Sequence, residues 1–274
     1  MNGILVCNHF LNTDKFTKLN EHLVNSAKLC DISLNVMTNS EVICSKSLKA
    51  DFILFWDKDV NLARLLEKKG FRVFNSAKSI ELCDDKAKTY IELLGKVKQP
   101  ETLFAPKSFF KSDYKEFLDF AVQKLSLPVV FKECFGSFGE QVYLCENETE
   151  IESHISQRPF LLQKFVETSK GHDCRIEVIG KKAVCKMVRV NENDFRANIT
   201  NGGTAVCEEM TKYERETVER CAEILGLDFC GVDILTDGSV CEVNSNAHIL
   251  NLYNATGIDC GKLIFEYIKK ELAK

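Results

Sequence analysis

One segment, residues 229–244, constrains the fold of this 274-residue chain more than any other. It contains two apolar runs separated by Thr-Asp-Gly-Ser, a pattern typical of a β-hairpin because Asp-Gly readily adopts the backbone angles of a tight turn. If Asp237 and Gly238 occupy a two-residue turn, Asp233 lies directly opposite Glu242. The hairpin therefore predicts two carboxylates side by side on a largely apolar sheet.

The predicted hairpin face carries a third polar side chain. Asn244 points to the same side as Glu242, because side chains alternate along a strand. Asp233 and Glu242 would repel each other and lose hydration unless one is protonated or a divalent cation binds both. Two carboxylates and an amide oxygen suit a hard cation, commonly magnesium with a phosphate ligand. The alternative, an exposed polar face without metal, predicts polar neighbours on that face, where Gly231 and Leu235 lie instead.

The composition excludes several classes of protein. A hydrophobic content of 45% and a charged content of 28% are ordinary for a globular protein, and no apolar run reaches the roughly 18–20 residues of a membrane span. The N-terminal apolar run is too short for a signal peptide and lacks a basic leader. Thirteen cysteines without a CxxC pair favour reduced thiols in a cytoplasmic protein. A net charge of −4 does not indicate a nucleic-acid partner.

Strand and helix patterns alternate along the first 80 residues, which predicts an open parallel sheet covered by helices. The predicted strands are residues 4–7, 32–37, 52–56 and 71–74, and the predicted helices are residues 14–29 and 60–69. No GxGxxG motif follows the first strand, so a Rossmann-type nucleotide site is not indicated in this unit.

The rest of the chain mixes strands and helices less regularly. The predicted helices are residues 79–94, 113–125, 214–225 and 261–272. The predicted strands are residues 129–132, 160–166, 175–179, 183–190, 229–235 and 240–244. This pattern contains no internal repeat or low-complexity segment.

A lysine and a glycine-containing loop follow the predicted strand 129–132. Lys132 ends this apolar strand and needs an anionic partner, for which phosphate is suitable. Gly136 and Gly139 let the backbone of the loop approach an anion, although a plain loop explains the two glycines equally well.

Two further groups of residues are compatible with nucleotide chemistry. Residues 163–166 end a strand, where backbone N–H and C=O groups can read the edge of a base, although a connector between units is an equal alternative. Arg175, Arg189 and Arg196 lie on or beside the following strands and can stabilise a transferring phosphoryl group. Surface ion pairing is the commoner role of any single arginine.

Together these segments resemble the ATP-grasp superfamily, and within it the RimK-type ligases that join glutamate or another amino acid to a carboxylate. The resemblance extends from about residue 75 to the end of the chain, and its specificity lies in the order and spacing of short motifs. These are CDDK at 83–86, PVVFK at 128–132, QKFV at 163–166, GHDCR at 171–175, DFRAN at 194–198, NGG at 201–203, GVDIL at 231–235, EVN at 242–244 and TGID at 256–259.

The resemblance implies a fold and a domain organisation. The chain would be an α/β (α+β) protein with the ATP-grasp fold. Residues 1–80 would form an open parallel-sheet pre-ATP-grasp domain, residues 81–165 a central subdomain with a phosphate lid, and residues 166–274 a C-terminal subdomain with the metal site. The implied cofactors are ATP and Mg²⁺, with Mn²⁺ as a substitute.

The resemblance also implies roles for individual residues. The phosphates, adenine and ribose of ATP would be held by Lys86, Lys132, Gly136, Ser137, Phe138, Gly139, Gln163, Lys164, Phe165, Val166, Asp173, Arg196 and Asn198. The catalytic residues at the γ-phosphate would be Arg196 and Asn198, with Arg175 and Arg189 as secondary candidates. The metal ligands would be Asp233, Glu242 and Asn244, the same three residues that the hairpin indicates.

Two departures from the family pattern concern the substrates. Lys164 replaces a glutamate of the adenine hinge, so the backbone contact remains without that side-chain contact. Residues 245–248, Ser-Asn-Ala-His, replace a small-residue–Pro–Gly sequence beside the acceptor pocket. Glutamate is therefore not established as a substrate, and His248 either binds a substrate carboxylate or is structural.

The expected function is ATP-dependent, ADP-forming ligation of a carboxylate to the amine of an amino acid or peptide through an acyl phosphate. A kinase and a nucleotide-binding module without turnover are the alternatives on the same scaffold. The expected partners are small-molecule or peptide carboxylate and amine substrates, without nucleic acid or membrane, and a homo-oligomeric state is left open.

Overall fold

Within residues 1–109, 113–137, 139–199 and 202–274, which the computed structural model describes, the chain forms three β-sheets. The first is built from β1 (Asn2–Cys7), β2 (Ser33–Thr38), β3 (Phe52–Trp56) and β4 (Val73–Phe74), in the order β2-β1-β3-β4. All three pairings in this sheet are parallel, as the sequence predicts. The connecting helices are α1 (Asp14–Leu29), α2 (Asn39–Cys44) and α3 (Val60–Lys68).

The order of the first sheet creates a crevice at its edge. The chain leaves β1 for β2 on one side, whereas β3 lies on the other side of β1. Adjacent parallel strands whose connections run in opposite directions leave an opening beyond their carboxyl ends, where ligands of open α/β sheets commonly bind. In this chain Asn8 and Asp57 follow β1 and β3 at that opening.

The sequence predicts one helix over residues 79–94, and the structure corrects this prediction. Two helices, α4 (Ala77–Asp84) and α5 (Lys86–Leu93), meet at Asp85, whose extended backbone interrupts the helical path. Its carboxylate accepts hydrogen bonds from two backbone N–H groups in the first turn of α5, at 3.0 and 3.4 Å, and so caps that helix. Lys86 therefore begins a helix instead of lying inside one.

The second sheet is antiparallel and has its own hydrophobic core. Its strands, in the order β5-β8-β6-β7, are β5 (Thr102–Phe104), β6 (Val129–Glu133), β7 (Val142–Cys145) and β8 (Phe160–Lys164). Helices α6 (Lys115–Leu125) and α7 (Glu148–His154) cover one face, and Leu118, Phe131 and Phe160 are buried between helices and sheet. Strands β5 and β7 and helix α7 are short and were not predicted.

The third sheet carries the predicted hairpin. Its antiparallel strands, in the order β11-β10-β9-β12-β13, are β9 (His172–Ile179), β10 (Lys182–Val190), β11 (Thr204–Cys207), β12 (Phe229–Leu235) and β13 (Val240–Asn244). Helices α8 (Lys212–Leu225), α9 (Ile249–Thr256) and α10 (Cys260–Leu272) pack around it, and a 3₁₀ turn spans Glu167–Ser169. Helix α9 was not predicted. None of the helices in the described part of the chain is both long and apolar enough to cross a lipid bilayer.

The first and third sheets share one hydrophobic core. Phe52 and Phe74 from the first sheet are buried in the same cluster as Phe229 and Phe265 from the C-terminal part. The Trp56 ring stacks on the Phe229 ring with centroids 5.3 Å apart. The hydrophobic core of the second sheet is separate from this shared core. The predicted domain boundaries at residues 80 and 165 stay a prediction.

Candidate active site

The hairpin of β12 and β13 has the predicted pairing at its centre. Asp233 lies opposite Glu242, and Gly231 lies opposite Asn244. Residues paired across neighbouring strands point to the same face, so the three predicted metal ligands share one face of the sheet.

The turn of this hairpin differs from the prediction. The Gly238 N–H donates to the Leu235 carbonyl at 2.8 Å, and the Leu235 N–H donates to the Ser239 carbonyl at 2.9 Å. The connection therefore has three residues, with Gly238 at a φ of +82°, and the predicted two-residue turn is wrong. A β-bulge at Cys241 inserts one extra residue into β13, which returns Asp233 and Glu242 to opposing positions.

The same face of the sheet continues across β9 and β10. The strand pairings form three rows of side chains: Arg189–Asp173–Leu235, Met187–Arg175–Asp233–Glu242, and Cys185–Glu177–Gly231–Asn244. Charged residues occupy most of the first two rows. In the third row, Glu177 is fully buried, and neither of its carboxyl oxygens has a hydrogen-bond partner among the described residues. Burial raises the pKa of Glu177 well above its usual value.

Two arginines compensate the charge of Asp233. Arg175 donates from Nε and Nη2 to the two carboxylate oxygens, both at 2.7 Å, and Arg189 Nη2 lies 3.0 Å from Oδ2. Burial alone would raise the pKa of Asp233, but Arg175 and Arg189 outweigh it and lower the pKa. The expectation that a proton or a metal must relieve this carboxylate is therefore wrong, because protein cations already do so.

Arg189 also holds Asp173. Its Nε and Nη2 donate to the two oxygens of Asp173 at 2.6 Å, and Arg189 is 3% exposed. Burial raises the pKa of Asp173 despite this arginine. Arg175 and Arg189, the secondary catalytic candidates, thus act in this structure as partners of buried carboxylates.

The side chains of Glu242 and Asn244 have fewer ion-pair and hydrogen-bond partners than that of Asp233. The Glu242 carboxylate lies 3.5 Å from the Lys86 ammonium. Burial would raise the pKa of Glu242, but Lys86 lowers it on balance, helped by the more distant Lys58 and Lys132. The Asn244 Nδ2 group is buried and has no hydrogen-bond partner among the described residues.

Lys132 is a buried cation with neutral partners. Its ammonium group donates to Gln163 Oε1 at 2.7 Å and to Cys241 Sγ at 3.6 Å, and the residue is 7% exposed. The ion pairs found in the described part of the chain include none with Lys132. A buried ammonium without a carboxylate is costly, so this position is suited to an anionic ligand.

The glycine-containing loop lies over these lysines. The carbonyl oxygen of Gly136 accepts hydrogen bonds from the ammonium groups of Lys86 and Lys58, both at 3.4 Å. The Ser137 N–H donates to Gln141 Oε1 at 3.3 Å, which fixes the inner part of the loop. The predicted lid residue Phe138 and the motif residue Asn201 lie outside the described residues.

Arg196 connects the third sheet to this loop. Its guanidinium donates to the Asp194 carboxylate, at 2.7 Å from Nη2, and to the carbonyl oxygens of Gly139 and Val142. The hydrogen bond to Asp194 raises the pKa of Arg196, which keeps the side chain charged. The proposed γ-phosphate residue is thus held against the lid.

A narrow cavity of about 110 Å³ brings the predicted nucleotide residues together. Every one of them that the structure describes lines it: Lys86, Lys132, Gly136, Ser137, Gly139, Gln163, Lys164, Phe165, Val166, Asp173, Arg196 and Asn198. Ligand pockets typically have volumes of about 300–1,000 Å³. The narrow cavity is therefore too small for a nucleotide in this structure.

A wide cavity of about 1230 Å³ adjoins the narrow one. It extends from the carboxyl ends of β1 and β3 to Arg175, Arg189 and Asn244 on the third sheet. The two cavities meet at Gly136, Ser137, Gly139, Gln141, Asn198 and Glu242, which line both. The predicted catalytic and metal-binding residues thus lie around one connected space.

The N-terminal wall of the wide cavity contains residues that sequence reasoning missed. The carboxylate of Asp57 accepts hydrogen bonds from the side-chain amides of Asn8 at 3.0 Å and Asn39 at 2.8 Å, and from the Lys58 N–H at 2.7 Å. Asn8, Asp57 and Lys58 directly follow buried parallel strands. Polar residues at the carboxyl ends of adjacent strands were the signal that could have identified them.

His248 lies at the same cavity as a neutral side chain. Its Nε2 is 3.4 Å from the Lys15 carbonyl oxygen, and its ring packs against the edge of Phe16 with centroids 6.0 Å apart. Burial, together with the charge of Lys15, lowers the pKa of His248 to about 4. A cationic histidine that binds a substrate carboxylate is therefore not supported, and the structural role is favoured.

The three predicted ligands have the oxygen donors that magnesium prefers, but they do not belong to a preformed cluster of acidic side chains. No group of three or more His, Cys, Asp and Glu side chains able to hold a metal occurs among the residues that the structure describes. Asp233, Glu242 and Asn244 supply two carboxylates and one amide oxygen, which are the kinds of donor that Mg²⁺ prefers. Each carboxylate oxygen can accept more than one bond, so the arginine contacts of Asp233 do not exhaust it.

Comparison with known proteins agrees with the site. The sequence model of the RimK-like ATP-grasp domain matches residues 83–268. An uncharacterized protein of Mycoplasma genitalium is 31% identical over 253 residues, covering 85% of this chain and 88% of that protein. Human N-acetylaspartylglutamate synthase A is 34% identical over 221 residues, covering 77% and 56%. A probable alpha-L-glutamate ligase of Psychromonas ingrahamii is 34% identical over 220 residues, covering 77% and 71%.

A solved structure gives the same fold. The D-alanine–D-alanine ligase of Bacillus anthracis complexed with ATP superposes with a TM-score of 0.77 at 17% identity, covering 100% of this chain and 98% of that one. The predicted α/β fold with an N-terminal parallel sheet is thereby confirmed. Because the domain match covers most of the sequence and agrees with the fold, the chain belongs to the RimK-like ATP-grasp family.

Proposed function

We propose that this protein is an ATP-dependent, ADP-forming ligase that joins a carboxylate to the amine of an amino acid or peptide. The observation that carries the proposal is the buried ammonium of Lys132, which among the described residues has the neutral side chains of Gln163 and Cys241 as its hydrogen-bond partners, within a glycine-covered cleft. A phosphate group is the partner that this position lacks. Membership of the RimK-like ATP-grasp family supports the reaction class.

ATP is a substrate of the proposed reaction and would enter the narrow cavity. Residues 163–166 would hold the adenine, Asp173 the ribose, and Lys86 and Lys132 the phosphates. Arg196 and Asn198 would lie at the γ-phosphate, where the cavities meet. The carboxylate and the amine would enter from the wide cavity, so that the reacting groups meet beside Glu242.

Asp233, Glu242 and Asn244 are the residues that would hold Mg²⁺, or Mn²⁺ in its place. When bound, the ion neutralises charge on the phosphates during transfer. The chain's own part is to keep these ligands ionised and oriented. Arg175 does this for Asp233, and Lys86 does it for Glu242.

The residues of the chain carry out two tasks in the reaction. A substrate carboxylate becomes a better acyl donor when its oxygen takes the γ-phosphoryl group and ADP leaves. The cations of Lys86, Lys132 and Arg196 stabilise the transferring charge. The loop at residues 136–142 excludes water from the acyl phosphate until the amine attacks.

The names of relatives indicate the substrate class. One relative is an N-acetylaspartylglutamate synthase and another a probable alpha-L-glutamate ligase. We therefore propose an amino acid or a peptide as the amine substrate. The wide cavity of about 1230 Å³ is large enough for a peptide as well as for a free amino acid.

The proposal includes a cellular setting and a domain organisation. All thirteen cysteines are free thiols, which supports a reducing, cytoplasmic compartment. We also propose the division into residues 1–80, 81–165 and 166–274. The proposal leaves open whether the protein forms homo-oligomers.

ADP release across a panel of acids and amines tests the function. ADP should form only when both a carboxylate and an amine are present, with a condensed product detected by mass spectrometry. Glu242→Gln should reduce ADP formation by about 100-fold or more, because it removes a ligand charge from the transfer site. Glu242 suits this test because its side chain is 32% exposed, whereas Asp233→Ala would remove the carboxylate that pairs with Arg175 and one of the two carboxylates that pair with Arg189.

Three outcomes would contradict the ligase. ADP formation from the carboxylate alone with a stable phosphorylated product would identify a kinase. Tight nucleotide binding without turnover over the whole panel would identify a binding module. Full activity of Glu242→Gln would remove the hairpin from the reaction.

A further inference from the structure

Lys58 extends from the first sheet to the place where the two cavities meet. It follows β3 at the carboxyl edge of the sheet, and its backbone N–H donates to Asp57 at 2.7 Å. Asp57 is 4% exposed and is itself held by the amides of Asn8 and Asn39. The backbone that carries Lys58 is therefore fixed by a buried hydrogen-bond network.

The Lys58 ammonium converges with that of Lys86 on one neutral atom. Both groups lie 3.4 Å from the carbonyl oxygen of Gly136. The nearest acid to Lys58 is Asp84, at 3.3 Å, and Lys58 also helps to lower the pKa of Glu242. Two ammonium groups in this position bind an anionic oxygen more strongly than they bind a neutral carbonyl oxygen.

The position of this carbonyl indicates which anion replaces it. Gly136 lines the narrow cavity, which is too small for a nucleotide in this structure, so we expect its carbonyl group to be displaced when a nucleotide enters. It lines both cavities, as does Glu242, so the oxygen lies between the nucleotide side and the substrate side. Displacement of this carbonyl group would make the space between the two ammonium groups available to the outermost phosphate.

We propose that Lys58 is a catalytic residue, which together with Lys86 binds the phosphoryl group that passes from ATP to the substrate carboxylate. This inference rests on the proposed function. A carboxylate oxygen forms a bond to the γ-phosphorus while the bond from the γ-phosphorus to the bridging oxygen breaks, and ADP leaves with that electron pair. Lys58 stays protonated and donates an N–H to a non-bridging phosphoryl oxygen.

The competing explanation is that Lys58 serves only as the ion-pair partner of Asp84. The two explanations separate because Asp84→Asn breaks the ion pair without removing the ammonium group. Lys58→Met removes the charge while keeping a side chain of similar length, and Lys58→Arg retains the charge. Lys182→Met is a matched control, since this lysine is 77% exposed and pairs with Glu219 at 3.5 Å away from both cavities.

Calorimetric binding of AMP-PNP and of ADP, each with Mg²⁺, tests the inference on the intact protein. Lys58→Met should weaken AMP-PNP binding by about tenfold and leave ADP binding within about twofold, because only the analogue has a γ-phosphate. Lys58→Arg should recover most of the loss. Asp84→Asn and Lys182→Met should bind both nucleotides like the wild type. In turnover, Lys58→Met should lower kcat by about 100-fold.

Several results would overturn the assignment. These are equal weakening of both nucleotides by Lys58→Met, no weakening of either, or an Asp84→Asn variant that loses as much as Lys58→Met. A wild-type protein that binds neither nucleotide would instead overturn the proposed function. Binding alone thus distinguishes the failure of one proposal from that of the other.

Discussion

Asp233 shows how the neighbours of a side chain determine its chemical state. The sequence places this carboxylate opposite Glu242 correctly, although the turn that the prediction assumes is one residue too short. It does not reveal that Arg175 from β9 and Arg189 from β10 reach the same carboxylate, because those strands become neighbours only in the folded sheet. Positions were therefore predictable here, whereas charge compensation was not.

His248 provides a prediction at the residue scale. Its pKa is about 4 in the folded protein and ordinary in the unfolded chain, so the unfolded chain binds a proton first as the pH falls. The stability that this neutral ring contributes is complete above about pH 6.5 and is lost as the pH falls toward 4. Between pH 7 and pH 4.5, the wild type should lose roughly 1–3 kcal/mol more unfolding free energy than His248→Gln.

Urea unfolding at a series of pH values measures this difference. His172→Gln, which changes an exposed histidine, should follow the wild type. Parallel pH profiles for the wild type and His248→Gln would show that burial does not keep this ring neutral.

The hairpin of β12 and β13 was predicted correctly at its central pair but not at its turn. Its turn has three residues instead of the predicted two, and the bulge at Cys241 adds one residue to β13. The two irregularities compensate each other, so the central pairing is correct although the turn is not. A bulge depends on the packing of the whole sheet, which explains why Cys241 carries no local sequence signal for it.

Short elements were the least predictable ones. Helix α9 and strands β5 and β7 have at most eight residues each, too few for a clear hydrophobic period. The break between α4 and α5 depends on one capping side chain, Asp85. Helix α1 matched its predicted bounds because an apolar face repeats along its 16 residues, and strand β3 matched because it is a continuous apolar run.

Gly231 gives a prediction at the element scale. A Cβ atom there would lie 2.6 Å from the Cβ of Ala247 and 3.4 Å from Arg175 Cδ. Gly231→Ala should therefore push the segment after β13 away from β12 and lower the unfolding free energy by about 1–3 kcal/mol, as other overpacked cores do. Thermal unfolding would detect the loss.

The double variant Gly231→Ala/Ala247→Gly is the matched control. It removes the methyl group that the new side chain meets, and it should recover a large part of the lost stability. A double variant that is no more stable than Gly231→Ala would mean that the close contact with Ala247 is not the cause.

At the scale of the molecule, charge determines how the site takes up a metal. Four cations, Lys86, Lys132, Arg175 and Arg189, surround three carboxylates, Asp173, Asp233 and Glu242. Four positive charges against three negative ones leave an excess of one positive charge when all are ionised. A divalent cation alone therefore gains little from this site, whereas a polyphosphate adds the missing negative charge.

Thermal unfolding with separate ligands tests this charge balance. Millimolar Mg²⁺ alone should leave the Tm within about 1 °C, whereas saturating ATP with Mg²⁺ should raise it by about 5–10 °C. EDTA should reduce the shift by ATP, because the phosphates then lack their counter-ion. An equal shift with Mg²⁺ alone would show that Asp233, Glu242 and Asn244 form a metal site without nucleotide.

The arrangement of the hydrophobic cores has a mechanical consequence. The first and third sheets pack on common side chains such as Trp56 and Phe229 and therefore form one rigid body, while the second sheet has its own core. We therefore expect the second sheet, with its attached loop, to be the part of the described chain that moves relative to the other two sheets. We expect product escape to follow that movement, so crosslinking the second sheet to the other two should slow ADP departure more than it slows bond formation.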